Sequence, residues 1–362
     1  MWPIARMVVT AASAIALSCG VTATTATEAR ADDMSPDEIF ERVAPATVQV
    51  LGNEAAGTGI IYDAEQGLIL TNAHVVAGQS ALKVRITDGE PVPVRLMASD
   101  PCEDLAVVKL ATPQEDLKQV EFGDSGELGQ GDEVTAIGYP EAAGDPSQQK
   151  AVLTTGVVQS PDVARTGGIS TPNLPSTVQH SATLNPGNSG GPLLNSNAEL
   201  VGINTFSYKS ATIEGQHYAI SSNHAQPLLQ GLADGKSQNN PGWQDLTPIS
   251  DPDFAYYFSE NDQADAQALQ KRLLDKKIDG LYVWSVDSNS PASDAALVAG
   301  DVITHLKDTP VNSVPQVCNI LQSSAPGEKL NVDGVYTYSG TDADGTPFAF
   351  GDPWRVTMTL DK

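Results

Sequence analysis

The strongest chemical signal in the sequence is a serine set among glycines, in the segment GNSGGP at residues 187–192. Glycine adopts positive φ angles without strain, so this segment can turn tightly and direct successive N–H groups at one point. We expect the turn formed by Gly187, Asn188 and Ser189 to hold the oxyanion of a tetrahedral intermediate, chiefly through the N–H groups of Gly187 and Ser189. An ordinary glycine-rich hairpin turn is the alternative.

A histidine and an aspartate that could activate this serine lie upstream. His74 follows the apolar run at residues 67–70, and Asp104 precedes the apolar run at residues 105–108. Taken singly, such residues are more often structural, as a histidine at a strand end or an aspartate that begins a turn. Their chain order, His74, Asp104 and Ser189, is that of a chymotrypsin-type triad, whereas the nucleophile elbow of α/β-hydrolases places the acid and the histidine after the serine.

Short apolar or alternating runs between turn residues must position these groups. Such runs extend from about residue 36 to residue 233 and predict a sandwich or barrel of many short strands. They lie at residues 47–51, 58–62, 82–86, 105–110, 134–138, 152–158 and 200–206. A helix near residues 223–232 ends this region, and residues 234–242 form a linker rich in turn residues.

The last region, residues 243–362, mixes strands with helices. Leucines and alanines on one stripe predict a helix over residues 262–277. Strands are predicted at residues 280–286, 301–306 and 354–360.

Composition narrows the possible functions. The 362 residues suffice for about two domains, and a hydrophobic fraction of 40% allows packed cores. Acidic residues number 45 and basic residues 20, and the net charge of −25 disfavours nucleic acid and anionic membranes as partners. The three cysteines are too few and too scattered for a disulfide framework or a CxxC metal site, and no HExxH motif occurs, so we expect no metal and no cofactor.

The first 31 residues have the features of a signal peptide. Residues 7–21 are uncharged and mostly apolar, too short a run to span a bilayer, and an AxA cleavage pattern follows at residues 29–31. We therefore expect an exported protein, located in the periplasm, in the cell envelope or outside the cell. The segment ALSC at residues 16–19 is similar to a lipobox, so a lipid anchor at Cys19 is the alternative.

Four segments, in order, resemble the HtrA (Deg) family of serine proteases. They are GTGII at residues 57–61, TNAHVV at 71–76, DLAV at 104–107 and NPGNSGGPL at 185–193. The resemblance covers about residues 36–233 and implies a mainly β fold, a chymotrypsin-like double β-barrel with the active site between the barrels. It also implies that Ser189 is the nucleophile, His74 the general base and acid, and Asp104 the group that orients His74.

The region after the linker resembles the smaller α+β PDZ module that follows the protease domain in this family. The segments SPA at 290–292 and LVAGDVI at 297–303 match the module, although Ala296 stands where glycine is usual. Such a module binds peptide C-termini, and a purely structural role is the alternative. The residues expected to form its carboxylate-binding loop are Gly280, Leu281, Tyr282 and Val283.

The resemblance implies an exported serine endopeptidase that cleaves misfolded or unfolded proteins and is regulated through its PDZ module. The alternative is a peptide-binding chaperone or sensor with little proteolytic activity at rest. The family also favours homotrimers, for which Phe40 is a candidate contact.

Two features remain open at this point. The residues expected to line the primary substrate pocket are Thr183, Asn204, Thr205 and Phe206. Because no charged residue is among them, a small or medium apolar substrate side chain is expected. Cys102 and Cys318 could pair in an oxidising compartment and join the two modules, but the sequence favours two separate buried thiols.

Overall fold

A computed structural model describes residues 33–53, 56–79, 81–141, 149–210, 213–341 and 345–361, without the side chains of residues 206–210, 213, 214 and 244. The predicted signal peptide and Cys19 lie outside the described residues. Within these ranges, no helix has the length and apolar character needed to cross a bilayer.

The first β-barrel follows a short N-terminal helix. Helix α1 (Pro36–Val43) begins at a capping box in which Ser35 and Glu38 bond each other's backbone N–H groups. Phe40 on this helix, the candidate trimer contact, is half-buried and packs against the core shared by the barrels. The barrel strands are β1 (Thr47–Leu51), β2 (Ala56–Asp63), β3 (Leu68–Thr71), β4 (Lys83–Ile86), β5 (Val92–Asp100) and β6 (Leu105–Leu110), with helix α2 (Ala73–Val76) after β3.

The second β-barrel has the same design. Its strands are β7 (Glu133–Gly138), β8 (Val152–Arg165), β9 (Leu174–His180), β10 (Pro192–Leu194), β11 (Leu200–Ser210) and β12 (Ile213–Ser221). Both barrels close, in the orders β1-β2-β3-β6-β5-β4 and β10-β11-β12-β9-β8-β7. Helix α3 (Ser222–Ala233) then buries Ala225, Leu229 and Leu232 in a core shared by the two barrels. Closure removes the strand edges, and the shared core fixes one barrel against the other.

A separate sheet forms the C-terminal region. Its elements are β13 (Trp243–Pro248), α4 (Gln263–Asp275), β14 (Leu281–Val286), α5 (Pro291–Asp294), β15 (Val302–Leu306), β16 (Thr309–Pro310), α6 (Val314–Gln322), β17 (Lys329–Val335), β18 (Gly340–Thr341), β19 (Pro347–Phe348) and β20 (Pro353–Thr359). The strand order is β13-β14-β15-β17-β20, with β16 beside β15, and β18 and β19 form a separate ribbon. Alternate residues such as Leu281, Val283 and Ile303 point into its own core.

The predicted fold class, a mainly β double barrel followed by a smaller α+β domain, is confirmed. The predicted strand over residues 152–158 continues to Arg165, and its pairing with β9 contains three register shifts beyond Val158. Many of these added residues are exposed or half-buried, so the apolar pattern that marks a strand is weak there.

Cys102 and Cys318 form a disulfide with a Cα–Cα distance of 5.4 Å, so the favoured prediction of two separate thiols is wrong. The bridge joins α6 to the loop between β5 and β6 across 216 residues of sequence. The linker contacts the end of β5 next to this loop, since Asn239 donates to the Asp100 carboxylate (2.8 Å) and Asn240 to the Ser99 hydroxyl (2.9 Å). Folding therefore brings the two cysteines together through contacts that the sequence pattern does not reveal.

Candidate active site

Ser189 lies in the turn between β9 and β10, and the first barrel holds this turn in place. Thr58 on β2 donates its N–H to the Ser189 carbonyl (2.8 Å) and its hydroxyl to the Gly187 carbonyl (2.7 Å). Gly190, with a φ of 84°, donates its N–H to the Asn204 carbonyl on β11 (2.8 Å). A Cβ at Gly190 would lie 2.2 Å from the Thr58 carbonyl oxygen, so only glycine fits there.

Two of the three predicted oxyanion-hole residues keep their N–H groups available. Among the described residues, the N–H groups of Gly187 and Ser189 have no acceptor. The Asn188 N–H is donated to the Asn185 carbonyl (3.0 Å), so Asn188 supplies the shape of the turn and not a donor. The turn therefore offers two backbone donors next to the Ser189 hydroxyl.

Strand pairing in the first barrel brings His74 and Asp104 together. The register pairs Thr71 at the end of β3 with Ala106 near the start of β6, so the residues beyond these strand ends are neighbours. His74 Nδ1 lies 2.8 Å from one carboxylate oxygen of Asp104 and 3.1 Å from the other. Asn72 also donates its amide to the Asp104 carbonyl (2.9 Å). Because a carboxylate can only accept, Nδ1 carries the proton and Nε2 is left as the basic nitrogen.

Thr205 on β11 connects this pair to the serine, a role that the sequence did not indicate. Its hydroxyl donates to the second carboxylate oxygen of Asp104 (2.6 Å), and its carbonyl accepts a hydrogen bond from the Ser189 hydroxyl (3.2 Å). The pairing of Pro192 on β10 with Ile203 on β11 places Thr205 beside the serine turn. No signal in the sequence separates this threonine from other buried strand residues.

The other residues predicted to line the substrate pocket, Thr183, Asn204 and Phe206, do not form one surface among the described side chains. Thr183 is exposed, and its carbonyl accepts from the Thr154 hydroxyl (2.9 Å). The side chain of Asn204 is fully buried and donates to the Pro192 carbonyl (2.9 Å), so neither this side chain nor that of Thr205 is free to line a pocket. Phe206 lies on β11, and its side chain is outside the described residues.

The electrostatics of the site are set by two aspartates. Burial by itself lowers the pKa of His74, but the charge and hydrogen bond of Asp104 and the charge of Asp245 outweigh it, and the pKa is raised above the ordinary 6.5. The His74 side chain is nevertheless 38% exposed because it faces a cavity. Burial and the charge of Asp104 raise the pKa of Asp245, while the charge of His74 opposes them.

The cavity beside His74 has a volume of about 570 Å³ and is shared by the barrels and the C-terminal sheet. Residues of the barrels in its walls include His74, Gly78, Asp104 and Thr171. The C-terminal sheet contributes residues of β13 and α6 and also Trp284. The space between β13 and α6 therefore opens towards His74.

The structure corrects the position expected for the carboxylate-binding loop. Of the predicted residues Gly280, Leu281, Tyr282 and Val283, the last three lie in β14, which is paired with β13 on one edge and with β15 on the other. Leu281 and Val283 are fully buried, and the Gly280 carbonyl accepts from the Ile249 N–H (2.8 Å). Within the described part of the sheet, the unpaired strand edge beside α6 belongs to β13.

Two closed six-stranded barrels, with a serine, a histidine and an aspartate where they meet, define a chymotrypsin-type serine protease fold. A family model described as the trypsin-like peptidase domain matches residues 57–203, and one described as the PDZ domain matches residues 257–335.

Several curated proteins are similar over most of the chain. "Serine protease Do-like HtrA" of Lactobacillus helveticus is 31% identical over 302 residues, which cover 80% of this chain and 67% of that protein. "Serine protease Do-like HtrA" of Bacillus subtilis is 34% identical over 276 residues, covering 75% of this chain and 58% of that protein. "Periplasmic pH-dependent serine endoprotease DegQ" of Escherichia coli is 30% identical over 310 residues, covering 85% and 60%.

The chain therefore belongs to the HtrA family of serine proteases. It spans 58% of the length of its Bacillus subtilis relative. Among solved structures, a variant of the HtrA-type protease AlgW with a tripeptide has a TM-score of 0.51 at 25% identity, covering 91% of this chain and 97% of that chain.

Proposed function

We propose that this chain is an exported serine endopeptidase with Ser189 as nucleophile, His74 as general base and acid, and Asp104 as the residue that orients His74. The observation that carries the proposal is the hydrogen-bonded contact of His74 with Asp104 next to a serine turn that has two unused backbone N–H donors. Relatives named as serine proteases favour this function over that of a chaperone or sensor with little proteolytic activity.

The proposed reaction begins with transfer of the Ser189 hydroxyl proton to His74 Nε2. The serine oxygen bonds to the substrate carbonyl carbon, and the carbonyl electron pair moves to the oxygen, where the N–H groups of Gly187 and Ser189 stabilise the negative charge. His74 then protonates the leaving amine, and water cleaves the acyl-enzyme by the same steps. Asp104 remains ionised and stabilises the imidazolium that forms in each step.

Active-site labelling tests this proposal. A fluorophosphonate should react with the purified chain, and peptide mass spectrometry should locate the label on Ser189. Casein digestion should fall in proportion to the labelled fraction. A label on another residue, or digestion that continues after complete labelling, would contradict the assignment.

The peptide site of the PDZ module is proposed to be the space between β13 and α6. An extended peptide can add to an unpaired strand edge through backbone hydrogen bonds, and β13 has such an edge. Trp243, Leu246, Val317 and Leu321 provide apolar walls beside it. The same space opens towards His74, so a polypeptide bound there would lie close to the triad.

Export is part of the proposal because of the predicted signal peptide at residues 1–31 and the word periplasmic in the names of DegQ and DegP of Escherichia coli. The alternative form of this proposal is a lipid anchor at Cys19, which would attach the exported protein to the membrane. Misfolded or unfolded exported polypeptides are the proposed substrates, since an extended segment must enter the cleft.

Replacing Thr205 with valine should lower kcat/KM by about 10- to 100-fold. The hydroxyl lost is a donor to the ionised Asp104, and such hydrogen bonds contribute roughly 1.5–3 kcal/mol. Cleavage of a quenched peptide measures the effect. Thr205→Ser, which keeps the hydroxyl, is the matched control and should restore most of the rate, whereas a valine variant as active as wild type would contradict a positioning role.

The pH profile should reflect the raised pKa of His74. Protonated His74 cannot accept the serine proton, so activity is lost as the pH falls through this pKa, and the acid limb of kcat/KM should lie above 6.5. Initial rates with a peptide that has no ionisable side chain, measured from about pH 5 to pH 9, give the limb. An acid limb at or below 6.5 would show that the two aspartates do not raise the pKa.

A further inference from the structure

The cavity beside His74 contains one carboxylate, that of Asp245, which no described residue binds. Among its described lining residues, Asp104 and Asp245 are the acidic side chains, and there is no lysine or arginine. Both oxygens of Asp104 are engaged, by His74 and by Thr205. Asp245 takes no hydrogen bond and no ion pair from any described residue. Its charge is therefore available to a ligand.

The backbone of β13 is irregular at Asp245, and this irregularity directs its carboxylate towards the segment after His74. Asp245 has a φ of 48°, in a strand whose residues on either side pair in regular register with β14. Among residues other than glycine, aspartate and asparagine accept this conformation most readily. The Oδ2 atom of Asp245 lies 3.8 Å from the position that a Cβ on Gly78 would occupy, so the carboxylate reaches the segment that follows His74.

An aromatic residue, Trp284, lines the same cavity, and its ring packs against Phe258 (ring centroids 4.4 Å apart) and Tyr282 (5.3 Å). The register pairs Gln244 with Ser285 and Leu246 with Val283, so Trp284 is the β14 residue across from Asp245, and both residues line the cavity. The indole N–H of Trp284 donates to the Thr247 hydroxyl (2.8 Å), which fixes the ring. An indole face attracts cations, and a carboxylate binds ammonium and guanidinium groups through charge-assisted hydrogen bonds.

We propose that Asp245, together with the ring of Trp284, is a specificity-determining residue that binds a lysine or arginine side chain of the polypeptide substrate next to the triad. This inference rests on the protease function proposed above. A basic side chain complements both the charge of Asp245 and the aromatic ring, whereas Asp245 would repel a substrate carboxylate. The contribution comes from the C-terminal sheet, so the PDZ-type module forms part of the substrate-binding cleft.

Quenched peptides that differ at one position test this inference with the full chain. Lys, Gln or Glu is placed at each position around a fixed cleavage site, and the ratio of kcat/KM for Lys over Gln is measured. At one position we expect a ratio of about 10 or more in the wild type and about 1 in Asp245→Asn, which keeps the side-chain shape and the backbone conformation. The ratio is the readout because a charge change beside His74 alters the rate for every substrate.

Two controls separate this inference from the proposed function. Asp265→Asn on α4 makes the same charge change outside the residues that line the cavity, and it should keep the wild-type ratio. In the Ser189→Ala background, binding of the Lys peptide, measured by fluorescence anisotropy, should weaken about 10-fold with Asp245→Asn.

A wild type without a preference for Lys at any position would overturn the specificity role, and so would a preference that survives Asp245→Asn. If the wild type cleaves no peptide but the Ser189→Ala chain binds the Lys peptide through Asp245, the cation site stands and the protease function fails.

Discussion

Replacing Ser189 with alanine should lower kcat/KM for peptide cleavage by about 10⁴-fold or more, because covalent catalysis requires the serine oxygen. The fold should remain intact, since among the described residues the hydroxyl bonds only the Thr205 carbonyl (3.2 Å), and backbone hydrogen bonds from Thr58 and Gly190 hold the turn. Rates are measured with a quenched peptide, and the thermal midpoint of the variant is compared with that of the wild type.

A double variant sharpens this prediction. If Ser189 and His74 act as one unit, His74→Ala combined with Ser189→Ala should be no slower than Ser189→Ala alone, because the remaining rate comes from the oxyanion donors and substrate binding. Losses that multiply would show that the two residues act independently. A Ser189→Ala variant that keeps more than about 1% of the activity would remove serine from the mechanism.

The serine turn and the barrel strands are the parts of the molecule that local sequence patterns predict, for a physical reason. Close backbone contacts around Ser189 leave no room for a side chain, as at Gly190, so these positions must be glycine. This requirement produces a motif that can be recognised in the sequence. The barrel strands are likewise readable because alternate residues face a core. These two signals predict a sandwich or barrel of short strands with His74 and Asp104 at strand ends, and the resemblance to the HtrA family adds the double barrel.

The C-terminal region was harder to predict because its signal is ambiguous. Residues 280–286 combine a glycine with an apolar alternation, which fits either a loop that enters a strand or a strand inside the sheet. The structure places Leu281 and Val283 in the core, between two paired strands. Strand order is a long-range property, so the unpaired edge of β13 and the cavity it shares with His74 could not be predicted from local patterns.

The disulfide is likewise a product of long-range packing. The loop that precedes Asp104 contacts α6 through the Cys102–Cys318 bridge and through Gln322, which donates to Glu103 (3.0 Å). Glu103 also bonds the His224 ring on α3 (2.7 Å). The C-terminal sheet is thereby attached directly to the loop that ends at Asp104.

Removing this bridge with Cys102→Ser and Cys318→Ser should lower the free energy of unfolding by about 3–5 kcal/mol, since the bond closes a loop of 216 residues and so restricts the unfolded chain. Urea unfolding followed by tryptophan fluorescence measures the change, and peptide mapping without reductant should recover Cys102 and Cys318 linked. Dithiothreitol should destabilise the wild type to the same degree and leave the double variant unaffected.

Gln322→Ala supplies the matched control for this prediction. This variant removes the exposed hydrogen bond from Gln322 on α6 to Glu103, while the disulfide stays intact. Such a hydrogen bond contributes only about 0.5–1.5 kcal/mol to stability. If the double cysteine variant loses no more stability than Gln322→Ala, the bridge does not constrain the chain. A double cysteine variant that instead loses about 3–5 kcal/mol and also cleaves peptides more slowly would show that the attachment of α6 helps to hold Asp104 against His74. The C-terminal sheet would then affect the proposed triad through the loop between Asp100 and Asp104.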